Sequence, residues 1–312
     1  MVIAAQADDP IRIDSAVVRV NVGVVDARGR PMMTLGQSDF SVYEDGVKQE
    51  ISQFENVSAP FSVVMLLDMS GSTKSFRQNI KFSAVRFLEA LDPEDRVAVV
   101  EFHNKITLLN NFTNDRRRAA HSISIANGAG ETNLYQALLF GLDRLAKEKS
   151  RRKAIVVLSD GVDTEERNLD RRLIAEVVEG EILSAIRPET SRQLNTILDR
   201  SDREGVTIYS LALPTGNPER LADPTPAQLA MYRAARERFR LLAERSGGTL
   251  NEIERLEQMG VVYANVAADL RALYTIEYQP KNLRRDGKWR SIRVEVADPQ
   301  LISRSRSGYF AR

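Results

Sequence analysis

Two apolar runs in this sequence end in short loops rich in oxygen donors. Phe61-Ser62-Val63-Val64-Met65-Leu66-Leu67 leads into Asp68-Met69-Ser70-Gly71-Ser72, and Ala154-Ile155-Val156-Val157-Leu158 leads into Ser159-Asp160-Gly161. Between them, Gly130-Glu131-Thr132-Asn133-Leu134 offers another hydroxyl at a predicted helix start. If buried strands carry these loops to one point, the carboxylates of Asp68 and Asp160 and the hydroxyls of Ser70, Ser72 and Thr132 meet there. Oxygen-only donors select hard dications. Magnesium in particular accepts few carboxylates together with hydroxyls and waters in an octahedron, which keeps a position open for a further ligand. Taken alone, Ser70 and Ser72 read better as N-caps that satisfy the free amides of the following helix; it is Thr132 and Asp160 in the same order that favour the metal reading.

The elements that must position these loops follow from periodicity. Strand candidates at 61–67, 96–102, 106–112, 154–159, 206–213 and, more weakly, 249–252 alternate with helix candidates at 73–91, 115–126, 133–148, 226–246 and 255–271. That alternation predicts βαβ units and an α/β fold with a doubly wound, mostly parallel sheet. Helix 73–91 gathers Phe76, Ile80, Ala84, Leu88 and Leu91 on one face, and Pro93 ends it. Both ends of the chain are β-rich instead. Residues 13–27 place Val18, Val20, Val22 and Val24 near period two, and 39–43 and 47–54 form a hairpin through Glu44-Asp45-Gly46. Segments 274–278, 289–296 and 302–310 have the same character. Short strands do not stand alone in water, so the terminal segments are expected to pack together as one flanking β-sandwich built from discontinuous sequence. The expected organisation is a flexible 1–12, sandwich parts at 13–57 and 272–312, and an α/β domain over 58–271. A charged helical insertion at 164–201 directly follows Asp160, at the sheet end where open α/β folds bind ligands. It reads either as a solvated helical pair or as a lid or partner surface.

Asp68-x-Ser70-x-Ser72, followed by Thr132 within Glu-Thr-Asn-Leu-Tyr-Gln-Ala-Leu and by Asp160 within Val-Leu-Ser-Asp-Gly, resembles the metal-ion-dependent adhesion site of the von Willebrand factor type A domain. With Phe40 to Val47, Gln49 to Phe54 and Gly308-Tyr309-Phe310 included, nearly the whole chain resembles bacterial, chiefly acidobacterial, VWFA-related proteins. The resemblance implies magnesium, or calcium or manganese, held by the hydroxyls of Ser70, Ser72 and Thr132, with Asp68 and Asp160 ligating directly or through waters. It also implies an acidic side chain of a protein partner completing the coordination, and hence cation-dependent protein binding outside the cytoplasm. Glu131 stands where many type A domains have glycine. It could ligate, repel an acidic partner or face solvent, and Asp163 could add a calcium ligand or cap the insertion. The competing reading is a structural or assembly protein whose metal only braces the loops.

Enzymatic readings fit less well. A haloacid-dehalogenase-type phosphatase needs a second Asp two residues after the first, where this chain has Ser70. The only imidazoles, His103 and His121, sit in no motif that would activate a serine, and Leu66 stands where the P-loop spacing needs glycine. No enzymatic activity is therefore expected. The 312 residues suffice for a sizeable α/β core and a smaller module, and 44 Lys and Arg balance 43 Asp and Glu, so no overall field favours nucleic acid. The clusters Arg116-Arg117-Arg118 and Arg151-Arg152-Lys153 read as solvated surface charge. Absence of cysteine excludes disulfides and thiolate chemistry and leaves the redox compartment open. No apolar run approaches the roughly 20 residues that span a bilayer. Ala5-Gln6-Ala7 has the form of a signal cleavage site without the preceding apolar region, which fits either the tail of a removed signal peptide or chance. Oligomeric state is not legible.

Overall fold

The computed structural model describes residues 17–56, 59–148, 151–215, 217–255 and 258–311, so the expectations for 1–12 and for the cleavage-site motif fall outside the described residues. The strands are β1 (Val18–Val25), β2 (Phe40–Glu44), β3 (Val47–Gln49), β4 (Ile51–Glu55), β5 (Phe61–Asp68), β6 (Arg96–Phe102), β7 (Ile106–Thr113), β8 (Arg152–Ser159), β9 (Val206–Ala212), β10 (Leu250–Glu252), β11 (Leu273–Tyr278), β12 (Trp289–Val296), β13 (Ile302–Ser305) and β14 (Gly308–Phe310). The helices are α1 (Arg77–Ala90), α2 (Arg116–Ile125), α3 (Leu134–Leu145), α4 (Thr164–Ala175), α5 (Ile182–Ala185), α6 (Arg192–Glu204), α7 (Pro226–Ser246) and α8 (Met259–Arg271).

The central sheet has the order β10-β9-β8-β5-β6-β7. All its pairings are parallel except that of the edge strand β7, which returns antiparallel to β6. β5 lies in the middle and every one of its residues is buried. Such a strand has no solvent face, which explains its continuous run of apolar residues in place of an alternating pattern. Helices cover both faces. Ile80, Ala84, Phe87 and Leu88 of α1 join Tyr263, Val266 and Leu270 of α8 in one core layer, and Leu138 and Leu142 of α3 join Leu194, Ile197 and Leu198 of α6 and Phe239 and Leu242 of α7 in the other.

The terminal strands form two four-stranded sheets, β13-β1-β11-β4 and β14-β12-β2-β3. Their inner faces share one apolar core: Val18, Val20, Val22 and Val24 with Tyr274 and Ile276 on one side, and Phe40 and Val42 with Ile292 and Val294 on the other. Asp45 and Gly46 turn the hairpin with φ of 47° and 79°, the positive pair that a two-residue turn between twisted strands requires. This sandwich docks at the amino ends of the central strands. Asn21 donates to Thr207 Oγ1 at 2.9 Å and accepts from Thr275 Oγ1, and Arg306 reaches Asp202 while Arg304 reaches Asp269. The carboxyl ends of the central strands, which carry the candidate site, are therefore left clear of it.

Three readings need correction. Arg152 is not surface charge: it is 3% exposed, lies 4.1 Å from the centre of the Phe61 ring, and donates to the carbonyls of Ala59 and Leu273. A basic residue beginning a buried strand can be recruited to close free carbonyls where the two modules meet. The stretch 164–201 is not uniform either, because α6 buries Leu194, Ile197 and Leu198 in the sheet's own core and acts as the crossover helix between β8 and β9. Only α4 and α5 stand outside, against α7, with Ile174 and Ile186 turned inward beside Ala230 and Ala234. The helix expected from 73 starts later, at Arg77, after a 3-10 turn over Lys74–Phe76.

Candidate metal-binding site

β5 and β8 are adjacent and parallel, with Leu67 beside Leu158, so Asp68 and Ser159 emerge side by side at their carboxyl ends. From β5 the chain continues to β6 on one side and returns to β8 on the other, so this is the point where the winding reverses and the loops diverge to leave a crevice. Asp68 is 0% exposed. Its Oδ1 accepts the Ser70 amide at 2.9 Å and its Oδ2 accepts the Ser159 hydroxyl at 2.6 Å. The first loop is drawn inward by Thr73, whose hydroxyl donates to the carbonyls of Asp68 and Ser70. Ser70 is buried, Ser72 is exposed, and their hydroxyl oxygens lie 3.2 Å apart.

The second loop is tied to the first by Gly71 N–H donating to Gly130 O at 2.9 Å. Arg77, at the start of α1, donates to Met69 O, Ser70 O and Gly128 O and to the Asn127 side chain, clamping both loops from behind. Gly128 is forced here, since a Cβ would stand 2.8 Å from Met69 O and against the His103 ring. Thr132 and Thr164 make a reciprocal pair, Thr132 N–H to Thr164 Oγ1 at 3.0 Å and Thr164 N–H to Thr132 O at 2.9 Å. The Thr132 hydroxyl takes part in no hydrogen bond among the described residues. Asp160 is 3% exposed, and its carboxylate accepts Val162 N–H and the Thr215 hydroxyl.

The electrostatics of this cluster are strained. Burial, and then the neighbouring Asp160 carboxylate, push the Asp68 carboxyl up to about 7, against the lowering effect of the Ser159 and Ser70 hydrogen bonds. No ion pair among the described residues includes Asp68 or Asp160. Two neighbouring buried carboxylates without a cationic side chain form a site that a dication would neutralise. The donor set agrees. Adjacent ligands of an octahedron lie about 3.0 Å apart for metal–oxygen bonds of about 2.1 Å and about 3.4 Å apart for bonds of about 2.4 Å, which brackets the spacing of the two serine hydroxyls. Ser70, Ser72 and Thr132 would supply neutral oxygens, with Asp68 and Asp160 as charged partners or acceptors for coordinated water. Among the described residues no group of three or more His, Cys, Asp or Glu side chains is gathered to hold a metal ion, so any ion here would depend on the serine and threonine hydroxyls as well as the two carboxylates.

The two accessory candidates separate. Glu131 is exposed at the rim. Asp163 is buried and committed elsewhere: its carboxylate caps α4 by accepting Glu166 N–H and accepts Tyr135 N–H at the start of α3. His103 follows β6 and meets Asn104, and no hydrogen bond among the described residues joins an imidazole to Ser70 or Ser72. Sequence reasoning missed Ser159, Thr215, Thr164 and Arg77 as supporting residues. Ser159 could have been found from its place directly before Asp160 on a strand neighbouring Asp68, whereas Thr215 and Arg77 leave no local signal.

Comparison with known proteins places this arrangement. Residues 63–162 match the family model of the von Willebrand factor type A domain. Among solved structures, the chain is similar to a von Willebrand factor type A protein from Catenulispora acidiphila, at 12% identity and a TM-score of 0.51 over 88% of this chain and 63% of that one. It is similar to the pilus adhesin SpaC from Lactobacillus rhamnosus GG in its open conformation, at 12% identity and a TM-score of 0.50 over 87% of this chain and 48% of that one. The vWF domain of the type V pili tip protein Mfa5 from Porphyromonas gingivalis matches at 15% identity and a TM-score of 0.49, over 67% of this chain and 94% of that domain. No curated protein matches the chain in sequence. At these identities the likeness to the Catenulispora acidiphila protein and to SpaC shows a shared fold.

Proposed function

We propose that this chain, which carries a von Willebrand factor type A domain, is a non-enzymatic, divalent-cation-dependent protein-binding module of the adhesion type. The observation that carries this reading is the pair of neighbouring carboxylates, Asp68 and Asp160, buried without an ionic partner among the described residues beside the hydroxyls of Ser70, Ser72 and Thr132. Magnesium, calcium or manganese held there would present a Lewis-acidic position to the carboxylate of a partner protein. Exposed Ser72 marks the side from which that carboxylate arrives. The shared fold with a pilus adhesin agrees with work at a cell surface, so an extracytoplasmic location belongs to the proposal. No helix among the described residues is long and apolar enough to cross a membrane.

A purely bracing role for the ion fits less well. The loops are already held together by the Gly71–Gly130 bond, the reciprocal Thr132–Thr164 pair and the Arg77 clamp. The two roles separate in one experiment: capture of acidic peptides by the full chain, in magnesium and in EDTA, with Asp68→Ala as control. Adhesion predicts that capture is lost with either treatment. A melting temperature that falls in EDTA while capture persists overturns adhesion in favour of bracing.

A further inference from the structure

A cleft of about 650 Å³ starts at Ser72, Thr132 and Asp160 and runs from the candidate metal position along α4 towards the start of α7. That volume lies within the roughly 300–1,000 Å³ of pockets that enclose drug-sized ligands. Its walls are prebuilt. Asp170 grips Arg238 of α7 through two bonds of 2.6 and 2.7 Å, and Glu166 stands 3.4 Å from the same guanidinium, all three groups being buried. This triad welds α4 onto α7 and uses up the charge of Arg238, so its contribution to the cleft is shape. Nearer the start of α7 the Tyr232 ring is fixed by Arg236, whose Nε donates to the phenol oxygen at 3.0 Å and whose guanidinium lies 5.1 Å from the ring centre. Met231 and Leu221, the latter 52% exposed, add apolar surface to the cleft. Walls that do not have to be ordered on binding lower the entropic cost of association.

Charge is distributed unevenly along this cleft. Glu131 and Asp160 lie at the metal end, with Asp163 behind them already spent on capping α4. Along the α4 wall Arg167 and Arg171, one turn apart, line the cleft, are exposed, and belong to no ion pair among the described residues. Among the described residues the one hydrogen-bond partner of either guanidinium is Asn168, which accepts from Arg171 at 3.4 Å. Two exposed arginines with no ionic partner among the described residues, in the same cleft as this apolar surface, call for a second acidic group on the ligand.

We propose that this cleft seats a short segment of the partner protein that carries two acidic residues and an apolar one. The first carboxylate takes the metal position, the apolar side chain lies against Tyr232, Met231 and Leu221, and the second carboxylate pairs with Arg167 and Arg171. This rests on the cation-dependent reading above and adds the recognition sequence to it. The insertion thereby becomes the specificity element of the module, because α4 supplies both the weld that shapes the wall and the arginines that line it.

The test pans a displayed random-peptide library on the full chain in magnesium and releases bound peptides with EDTA. Released peptides should share two acidic residues and a Leu, Met or aromatic residue within a few positions of one another. A synthetic peptide of that pattern should bind R167E/R171E about tenfold more weakly. Replacing its second acid by lysine should restore binding to R167E/R171E while weakening binding to the unaltered chain. Both substitutions are on exposed positions, and an unchanged magnesium affinity verifies the fold and the metal site. If released peptides carry a lone acid and bind both proteins equally, the cleft assignment is overturned while cation-dependent adhesion stands. Competition by succinate at the same concentration as the peptide overturns it in favour of a small dicarboxylate. If EDTA releases nothing, or Asp68→Ala retains the peptides, the cation-dependent reading fails and this inference with it.

Discussion

Removing the charge of Asp68 should stabilise the cation-free protein and abolish its response to magnesium. The Asp68 carboxyl is fully buried, meets the Asp160 carboxylate, and is pushed from 3.8 up to about 7. Its proton is therefore held more tightly in the folded chain than in the unfolded one. Stability from this group is complete below about pH 4, falls as pH rises, and is gone above about pH 7, the reverse of a salt-bridged carboxylate. A displacement of about three pH units corresponds to at most about 4 kcal/mol. Asp68→Asn escapes this cost. The new amide oxygen can keep the Ser70 N–H bond, and the Ser159 hydroxyl, now a donor to Asp68 Oδ2, can turn to accept from the amide nitrogen. Burying an amide has its own desolvation cost, so a gain of about 2 kcal/mol is expected near pH 8 and almost none near pH 4. At roughly 2–4 °C per kcal/mol for domains of this order, that is about 5 °C in melting temperature. Calorimetry of both proteins in EDTA across this range, repeated in excess magnesium, checks it. Magnesium should raise the melting temperature of the unaltered chain only. Equal stability of the two chelated proteins at every pH, or equal stabilisation by magnesium, would refute the argument that Asp68 is an uncompensated buried charge.

Two further predictions concern the neighbours of the site. Asp163→Ala should cost about 1–2 kcal/mol through the lost cap of α4 and leave magnesium affinity within about twofold, as titration calorimetry and thermal melts would show; a large loss of affinity would make Asp163 a ligand instead. Arg238→Ala should cost about 3–5 kcal/mol in denaturant unfolding, because it strands Asp170 and Glu166 in a buried place.

The parallel sheet was legible in the sequence because fully buried strands advertise themselves: β5 and β8 contain the apolar runs Val63 to Leu67 and Ala154 to Leu158, and each ends in the oxygen donors that the fold brings together at the winding reversal. Asp68, Ser70, Ser72, Thr132 and Asp160 could be nominated for that reason. The terminal strands were legible through alternation, as with Val18 to Val24, and the Asp45-Gly46 turn through its chemistry. What stayed hidden depends on contacts between distant residues. Arg152 looked like surface charge because nothing local says that a carbonyl of Leu273 and the ring of Phe61 await it. The 164–201 stretch looked like one insertion because the amphipathic pattern of α6 is the same whether it covers a sheet or another helix. The Arg77 clamp and the Thr215 bond to Asp160 join residues whose separation in sequence carries no periodic signature.

The split origin of the sandwich has a consequence for biosynthesis. Strand β1 finds its neighbours β11 and β13 only after the whole α/β unit has been translated, and the Asn21–Thr275 bond closes a span of 254 residues. A nascent chain leaving the ribosome thus carries β1, β4 and the β2–β3 hairpin without their C-terminal partners while the central sheet assembles, and contacts of such long range are slow to close. Maturation is ordered: the unit bearing the metal loops can form first, and the sandwich locks last, when the final strands arrive.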